Sequence, residues 1–288
     1  MSYLLMTIDG FGSAIIAAGA MGVACALLSV FVIARRWAFI GEGIGHAGLG
    51  GAGTVWLLSL LIPALDQRWA IYSGVVVFCL ATALLIGWVN RRERVNSDAA
   101  IGIFLVASLA WGFLAREVYR HFRHMTPAGF DELLFGYFTN ISMPYAVASV
   151  MICLAVVLVV AMLGKEIVYY CFDPAMAEAS GVRGGFIHYL MMGLLAVTII
   201  AGIRIAGGVL VTALLVLPGA TALLVSNRLK IVIGVSVALG FVCAIAGVLV
   251  ATRWRFLPAG PMMVLILFGV FIGVFCVSKS RRPASGSV

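Results

Sequence analysis

Charge is what this sequence has least of. Charged residues fill 10% of its 288 positions, with 11 Asp and Glu against 19 Lys and Arg. A soluble domain keeps its surface wet with roughly a quarter to a third charged residues, so this composition excludes an ordinary soluble globule. There is no GxxxxGK[ST] phosphate loop, so the chain is not expected to hydrolyse ATP itself. There is no HExxH pair of the kind an intramembrane metalloprotease needs. None of the six cysteines (Cys25, Cys79, Cys153, Cys171, Cys243, Cys276) is in a CxxC pair, and five lie in apolar runs. There they behave as small hydrophobes, so neither a disulfide framework nor a thiolate zinc site is expected. The N-terminus lacks the basic start and small-residue cleavage site of a signal peptide, so the first apolar run is expected to stay in the mature chain.

What is present is apolar. Hydrophobic residues make up 64% of the chain, and the mean hydropathy is +1.16. The apolar runs are continuous and not alternating, which selects transmembrane helices over a barrel. The expected fold is an all-α polytopic membrane protein. Nine runs are read, over 13–34, 44–62, 70–89, 99–115, 144–164, 186–203, 205–226, 231–251 and 261–278. The pair 186–203 and 205–226 is one apolar stretch broken only by small residues and Arg204, so eight crossings are also compatible. The 33 glycines suit helices that approach closely in lipid. No soluble domain is visible. Residues 1–282 read as one membrane domain, and the tail 283–288 as disordered.

Lys and Arg in the loops set the orientation. Twelve fall on one side, from Arg35 and Arg36 to the tail residues Arg281 and Arg282, and seven on the other. The first side is expected to be cytoplasmic, which puts the N-terminus outside and the C-terminus inside. The net charge of +8 thus speaks for topology and not for nucleic acid. Two connections are long. Residues 116–143, on the outer side, carry Arg116, Arg120, His121, Arg123 and His124, followed by Phe130–Gly136, which reads as a short amphipathic surface helix. The basic group goes against the positive-inside bias and could dock an acidic partner face. His121 and His124, three apart, could pass on a metal or be simply solvated. Residues 165–185, on the inner side, hold a second short helix. Asp173 is its N-cap, Pro174 its first helical residue, Ala177 and Glu178 lie within it, and Gly181 ends it.

The ionisable pair that stands out is Glu42 and His46, within Gly41–Gly48. On a helix these two share one face. A carboxylate and an imidazole are good ligands for a divalent transition metal. The same residues also fit a helix end at the membrane surface, with Glu42 in water. Asp98 reads as an N-cap of the fourth span. Arg204 reads as structural, His188 as snorkelling or hydrogen-bonded, and Met191, Met192, Met262 and Met263 as packing.

The order of motifs resembles the integral-membrane permease of bacterial ABC importers for zinc, manganese or iron. Gly41-Glu42-Gly43-Ile44-Gly45-His46-Ala47 resembles that family's Gly-Asp-x-x-Ser-His-Ala segment. Ser97–Ile103 is similar to its Asp-x-x-Ile-Gly segment, Asp131–Gly136 to its outer-loop helix and Phe172–Val182 to its coupling helix. Val209–Leu229, with Leu217-Pro218-Gly219-Ala220-Thr221, and Leu257–Pro261 complete the pattern. The resemblance implies a fold similar to the vitamin B12 and siderophore importer permeases. It implies a two-fold pair of permeases in the bacterial plasma (inner) membrane, a cytoplasmic ATP-binding subunit that binds the ATP, and an extracellular or periplasmic metal-binding protein. It implies no stably held cofactor, since the divalent metal is cargo. Glu42 and His46 then become the expected metal contacts, and Asp173, Pro174, Ala177, Glu178 and Gly181 the helix that meets the ATPase. Glu42 stands where the family usually has Asp and Gly45 where it often has Ser, which bears on metal preference. The rival readings are a permease for a metal chelate of the siderophore or cobalamin class and an ATP-independent cation carrier. The first predicts a wide pore without inward ionisable ligands; the second predicts no ATPase partner.

Overall fold

A computed structural model describes residues 2–91, 96–127, 142–254 and 259–281, without the side chains of 2–11, 174, 178, 204–209 and 279–281. The described residues form ten helices: α1 (Ser2–Ala34), α2 (Ile40–Leu61), α3 (Arg68–Arg91), α4 (Ser97–Arg123), α5 (Met143–Met162), α6 (Gly164–Phe172), α7 (Pro174–Ala179), α8 (Gly184–Val225), α9 (Leu229–Arg253) and α10 (Ala259–Arg281). A single 3-10 turn, Pro63–Leu65, follows α2. Among the described residues eight stretches are long and apolar enough to cross a membrane, and Leu210–Val225 is a shorter apolar helix. The nine read runs thus fall on these eight stretches and on the shorter helix, which belongs to α8. Many large apolar side chains on the long helices are exposed, among them Val77, Ile103, Met151, Val242 and Leu265. Such a surface suits hydrocarbon and not water.

The chain divides into two compact units. The first comprises Met1–Arg35, Phe138–Val157 and Ala213–Val288. Here α1 packs on α9, and α9 on α10. Small residues let the α1 and α9 backbones meet. A Cβ on Gly22 would lie 2.6 Å from the Gly240 carbonyl oxygen and 2.9 Å from the Ala244 Cβ. Ser236 Oγ donates to the Ala26 carbonyl at 2.6 Å across the same seam. Without a hydrophobic drive between helices in lipid, such close packing and interhelical hydrogen bonds supply the adhesion. Pro218 lies inside α8 and has no N–H to give to the preceding turn. Next to it, the Gly219 N–H donates to Ser29 Oγ of α1 at 2.8 Å. A side chain spliced into the helix ladder in this way is a recognised way to satisfy groups freed by proline in membrane.

The second unit comprises Arg36–Tyr137 and Leu158–Thr212. Its centre is α2, which packs on both α3 and α4 and is buried along most of its length. Glycines allow this. A Cβ on Gly51 would fall 2.5 Å from the Gly74 carbonyl oxygen of α3, and one on Gly53 would fall 2.8 Å from the Ala115 Cβ of α4. Trp111 Nε1 of α4 donates to Thr54 Oγ1 of α2 at 3.0 Å. At the far end of α2, Tyr119 donates to Asp66 at 3.2 Å and Arg123 to the Ser59 carbonyl at 3.3 Å.

Within this unit α8 cannot run straight. The 24 residues from His188 to Thr212 would span about 36 Å at 1.5 Å each. Yet the His188 ring packs on Trp37 at 5.5 Å between centroids, and Thr212 lies against Gly41, only four residues beyond Trp37. The helix therefore bends sharply between these points and returns towards the start of α2.

Candidate functional site

Glu42 lies in the first turn of α2, where a carboxylate meets the positive end of the helix. One turn on, His46 Nε2 is 2.9 Å from Glu42 Oε2. Both side chains are mostly covered, with 26% of Glu42 and 20% of His46 exposed. Thr212, on the returning part of α8, gives Glu42 a second hydrogen bond. Gly41 makes that approach possible, because a Cβ there would lie 2.9 Å from Thr212 Oγ1 and 3.1 Å from its Cα. On the opposite flank a Cβ on Gly43 would lie 2.8 Å from Ile101 of α4. The glycines on either side of Glu42 thus set how tightly the pair is held.

The geometry suits shared coordination. Two donors each about 2.1 Å from an ion stand about 3.0 Å apart at a right angle and about 3.4 Å apart at a tetrahedral angle. The observed 2.9 Å needs an adjustment of a few tenths of an ångström at most for an octahedral ion, and more for a tetrahedral one. An ion would replace the proton the two side chains share. One chain supplies only two donors here. Among the described residues no group of three or more His, Cys, Asp or Glu is placed to hold a metal.

The other residues named from sequence fall as follows. Asp173 caps α7, accepting the Met176 N–H at 2.9 Å. Gly181 has φ +80°, and the Val182 N–H reaches the Ala177 carbonyl at 2.9 Å. This is the left-handed, 6→1 closure of a helix that the glycine was expected to provide. Ala177 is fully buried, so it faces inward, while Met176 and the flanking Phe172 and Phe186 are exposed. A partner approaching α7 therefore meets those side chains and not Ala177. The side chains of Pro174, Glu178 and Arg204 are outside those described.

Arg116, Arg120, His121 and Arg123 do not stand in a loop, because α4 stays helical through Arg123. Basic residues in its last turn face the negative end of the helix dipole, which favours that extension. Glu117 offsets part of the charge, 2.7 Å from Arg120 and 3.6 Å from Arg116. His124 leaves the helix in a left-handed conformation, φ 55°. His121 and His124 line an open cleft with Glu117, Arg120 and Phe122. The expected surface helix Phe130–Gly136 lies outside the described residues, as does the tail 283–288. Asp98 is not the cap of α4. Asn96 holds that position, and Asp98 sits in the first turn, exposed. Met191, Met192 and Met263 are buried packing residues, and all six cysteines are free thiols.

His188 turns out to be a fully satisfied core residue, 2% exposed. Its Nε2 is 2.9 Å from the Gly87 carbonyl of α3, and its Nδ1 is 2.7 Å from the Tyr170 hydroxyl of α6. Thr212, Tyr170 and Gly87 were not singled out from sequence. A polar Thr in an apolar run was the one available signal for Thr212.

A profile of the ABC 3 transport family matches residues 8–278. The chain belongs to that family. A curated relative, the manganese transport system membrane protein MntC of Halalkalibacterium halodurans, is 32% identical over 96% of this chain and 90% of its own. The chelated iron transport system membrane protein YfeD of Yersinia pestis is 30% identical over 94% of this chain and 86% of its own. Among solved structures, PsaBC from Streptococcus pneumoniae in complex with Fab matches with a TM-score of 0.76 and 26% identity, over 98% of each chain. This ABC 3 protein is thus the membrane permease part of an ABC transport system, and its helices follow a known permease fold.

Proposed function

We propose that this permease imports a divalent transition-metal ion and that Glu42 and His46 contact the ion on its way. The observation that carries the reading is the 2.9 Å contact between the two side chains in the first turns of a span. Relatives named for manganese and chelated iron support the substrate class. Ionisable groups at membrane depth are expensive, and mark ion paths more often than packing. Residues 1–282 act as one permease domain, and two such chains about a two-fold axis supply two Glu and two His, enough for a transient four-donor site. Mixed oxygen and nitrogen donors without thiolate let the ion leave again.

ATP is bound and hydrolysed by a cytoplasmic partner that meets the capped helix α7, and a metal-binding protein outside delivers the ion. The basic end of α4, with Arg116, Arg120, His121, Arg123 and His124, offers that protein's acidic face a docking surface. In this orientation the N-terminus is outside and the C-terminus cytoplasmic, in the bacterial inner membrane.

The test is uptake of radioactive manganese, zinc and iron by cells carrying Glu42→Ala with His46→Ala. Uptake should fall to background at unchanged protein level. Normal uptake would sink the path assignment.

A further inference from the structure

The helix proposed to meet the ATPase and the pair proposed to meet the ion belong to one unit, and one buried residue is bonded to both surrounding elements. Tyr170 lies three residues before Asp173, the cap of α7, and His188 lies seven after Gly181, which closes it. The Tyr170–His188 hydrogen bond at 2.7 Å therefore ties together the two ends of the segment that carries α7. A carbonyl can only accept, so the His188 nitrogen facing Gly87 carries the hydrogen. In the neutral ring the other nitrogen accepts from the Tyr170 hydroxyl. The segment is thereby anchored to α3 at Gly87, where the absence of a Cβ leaves His188 Nε2 room at 3.2 Å. From α3, eight residues back from Gly87, the Cys79 thiol donates to the Ile44 carbonyl of α2 at 3.3 Å. Ile44 stands midway between Glu42 and His46. The Trp37 ring, just before α2, also packs on His188 in a T-shaped contact.

We propose that His188 is a positioning residue, the joint through which movement of the α7 segment is delivered to α3 and so to the Glu42–His46 pair. This rests on the importer reading above. Two directional hydrogen bonds from a rigid ring make the transfer stiff, whereas apolar packing alone would let the segment slide.

The experiment uses the complete importer, permease with its ATPase and binding protein, in proteoliposomes, and reads manganese ions taken up per ATP hydrolysed. Tyr170→Phe removes a single oxygen and leaves the packing. It should lower that ratio at least roughly five-fold, the lower end of the usual range for coupling between sites, with hydrolysis and assembly retained. His188→Gln, whose amide can still donate to the Gly87 carbonyl, should keep more of the ratio than His188→Ala. A Tyr170→Phe importer with the wild-type ratio overturns the proposal. So does one in which uptake and hydrolysis fall in equal proportion, or one that no longer assembles, because the bond is then support and not a joint. Uptake by the wild-type complex tests the importer reading, and the ratio of variant to wild type tests the joint, so the two fail separately.

Discussion

Replacing Glu42 by Asp tests whether the carboxylate touches the ion or only braces the helix. The change keeps the charge and withdraws the carboxylate by one methylene, about 1.5 Å. The 2.9 Å contact with His46 then opens towards about 4 Å, beyond hydrogen-bonding range, and the bond from Thr212 is lost with it. For stability the effect is small, under about 1 kcal/mol, because an i,i+4 pair a quarter exposed contributes little. For an ion it is large. As neighbouring ligands of one ion, carboxylate and imidazole need donor atoms about 3.0–3.4 Å apart, and the shorter side chain cannot reach that without moving α2. The Gly43 contact with Ile101 resists such a move. Loss of a mere supporting hydrogen bond costs a metal site roughly ten- to a hundredfold in affinity, so loss of a ligand should raise the KM for uptake by at least tenfold. The assay is initial uptake against concentration for manganese, zinc and iron separately, at matched protein level. An unchanged KM for all three would refute the idea that this carboxylate meets the ion. A fall in uptake explained by loss of protein would refute the stability estimate.

Three further changes have definite expected outcomes. Ser29→Ala leaves the Gly219 N–H without its partner beside Pro218 and should destabilise the permease by about 1–3 kcal/mol, read as a lower Tm in detergent. Gly22→Ala puts a methyl 2.6 Å from the Gly240 carbonyl oxygen and must prise α1 from α9. It should cost about 1–3 kcal/mol, whereas the same change at Gly193, with open space around it, should not lower Tm. Asp173→Ala removes the cap on α7 and should loosen that helix by about 1 kcal/mol; the expected reading is weaker binding of the ATPase in pull-down with the overall Tm nearly unchanged.

The spans were legible because a run of about 20 apolar residues has few other uses. The read ranges and the helices differ only by a few residues at most ends. The caps of α7 were legible for the same local reason: Asp, Pro and Gly each have one job at a helix terminus. The fold-back of α8 was legible only as a possible break. Small residues and Arg204 separate the runs 186–203 and 205–226, but nothing local says that Thr212 returns to Gly41. The basic cluster from Arg116 to Arg123 was read as loop because charge outweighed helical continuity, although charge of that sign suits a helix end. The pairing of Glu42 with His46 was legible from their spacing on a helix, and the two side chains do meet. Their third partner, Thr212, lies 170 residues along the chain from Glu42, and spacing along a sequence carries no such distance.

The glycine content of α2 also gains a meaning beyond close packing. A helix bearing a carboxylate and an imidazole has to hold them between neighbours without burying them fully, since an unpaired buried charge is far costlier than a partly wet one. Gly41 and Gly43 bring Thr212 and Ile101 against the backbone, so the flanks of α2 are sealed by main-chain contact. The side chains of Glu42 and His46 are thereby left as the protruding features of that turn, and they keep a fifth to a quarter of their surface open. Larger residues at 41 and 43 would seal the helix with side chains instead and would push Thr212 out of reach of Glu42. The Gly-Glu-Gly sequence therefore belongs to the proposed site: it sets the separation at which one hydrogen bond from α8 and one from His46 hold the carboxylate.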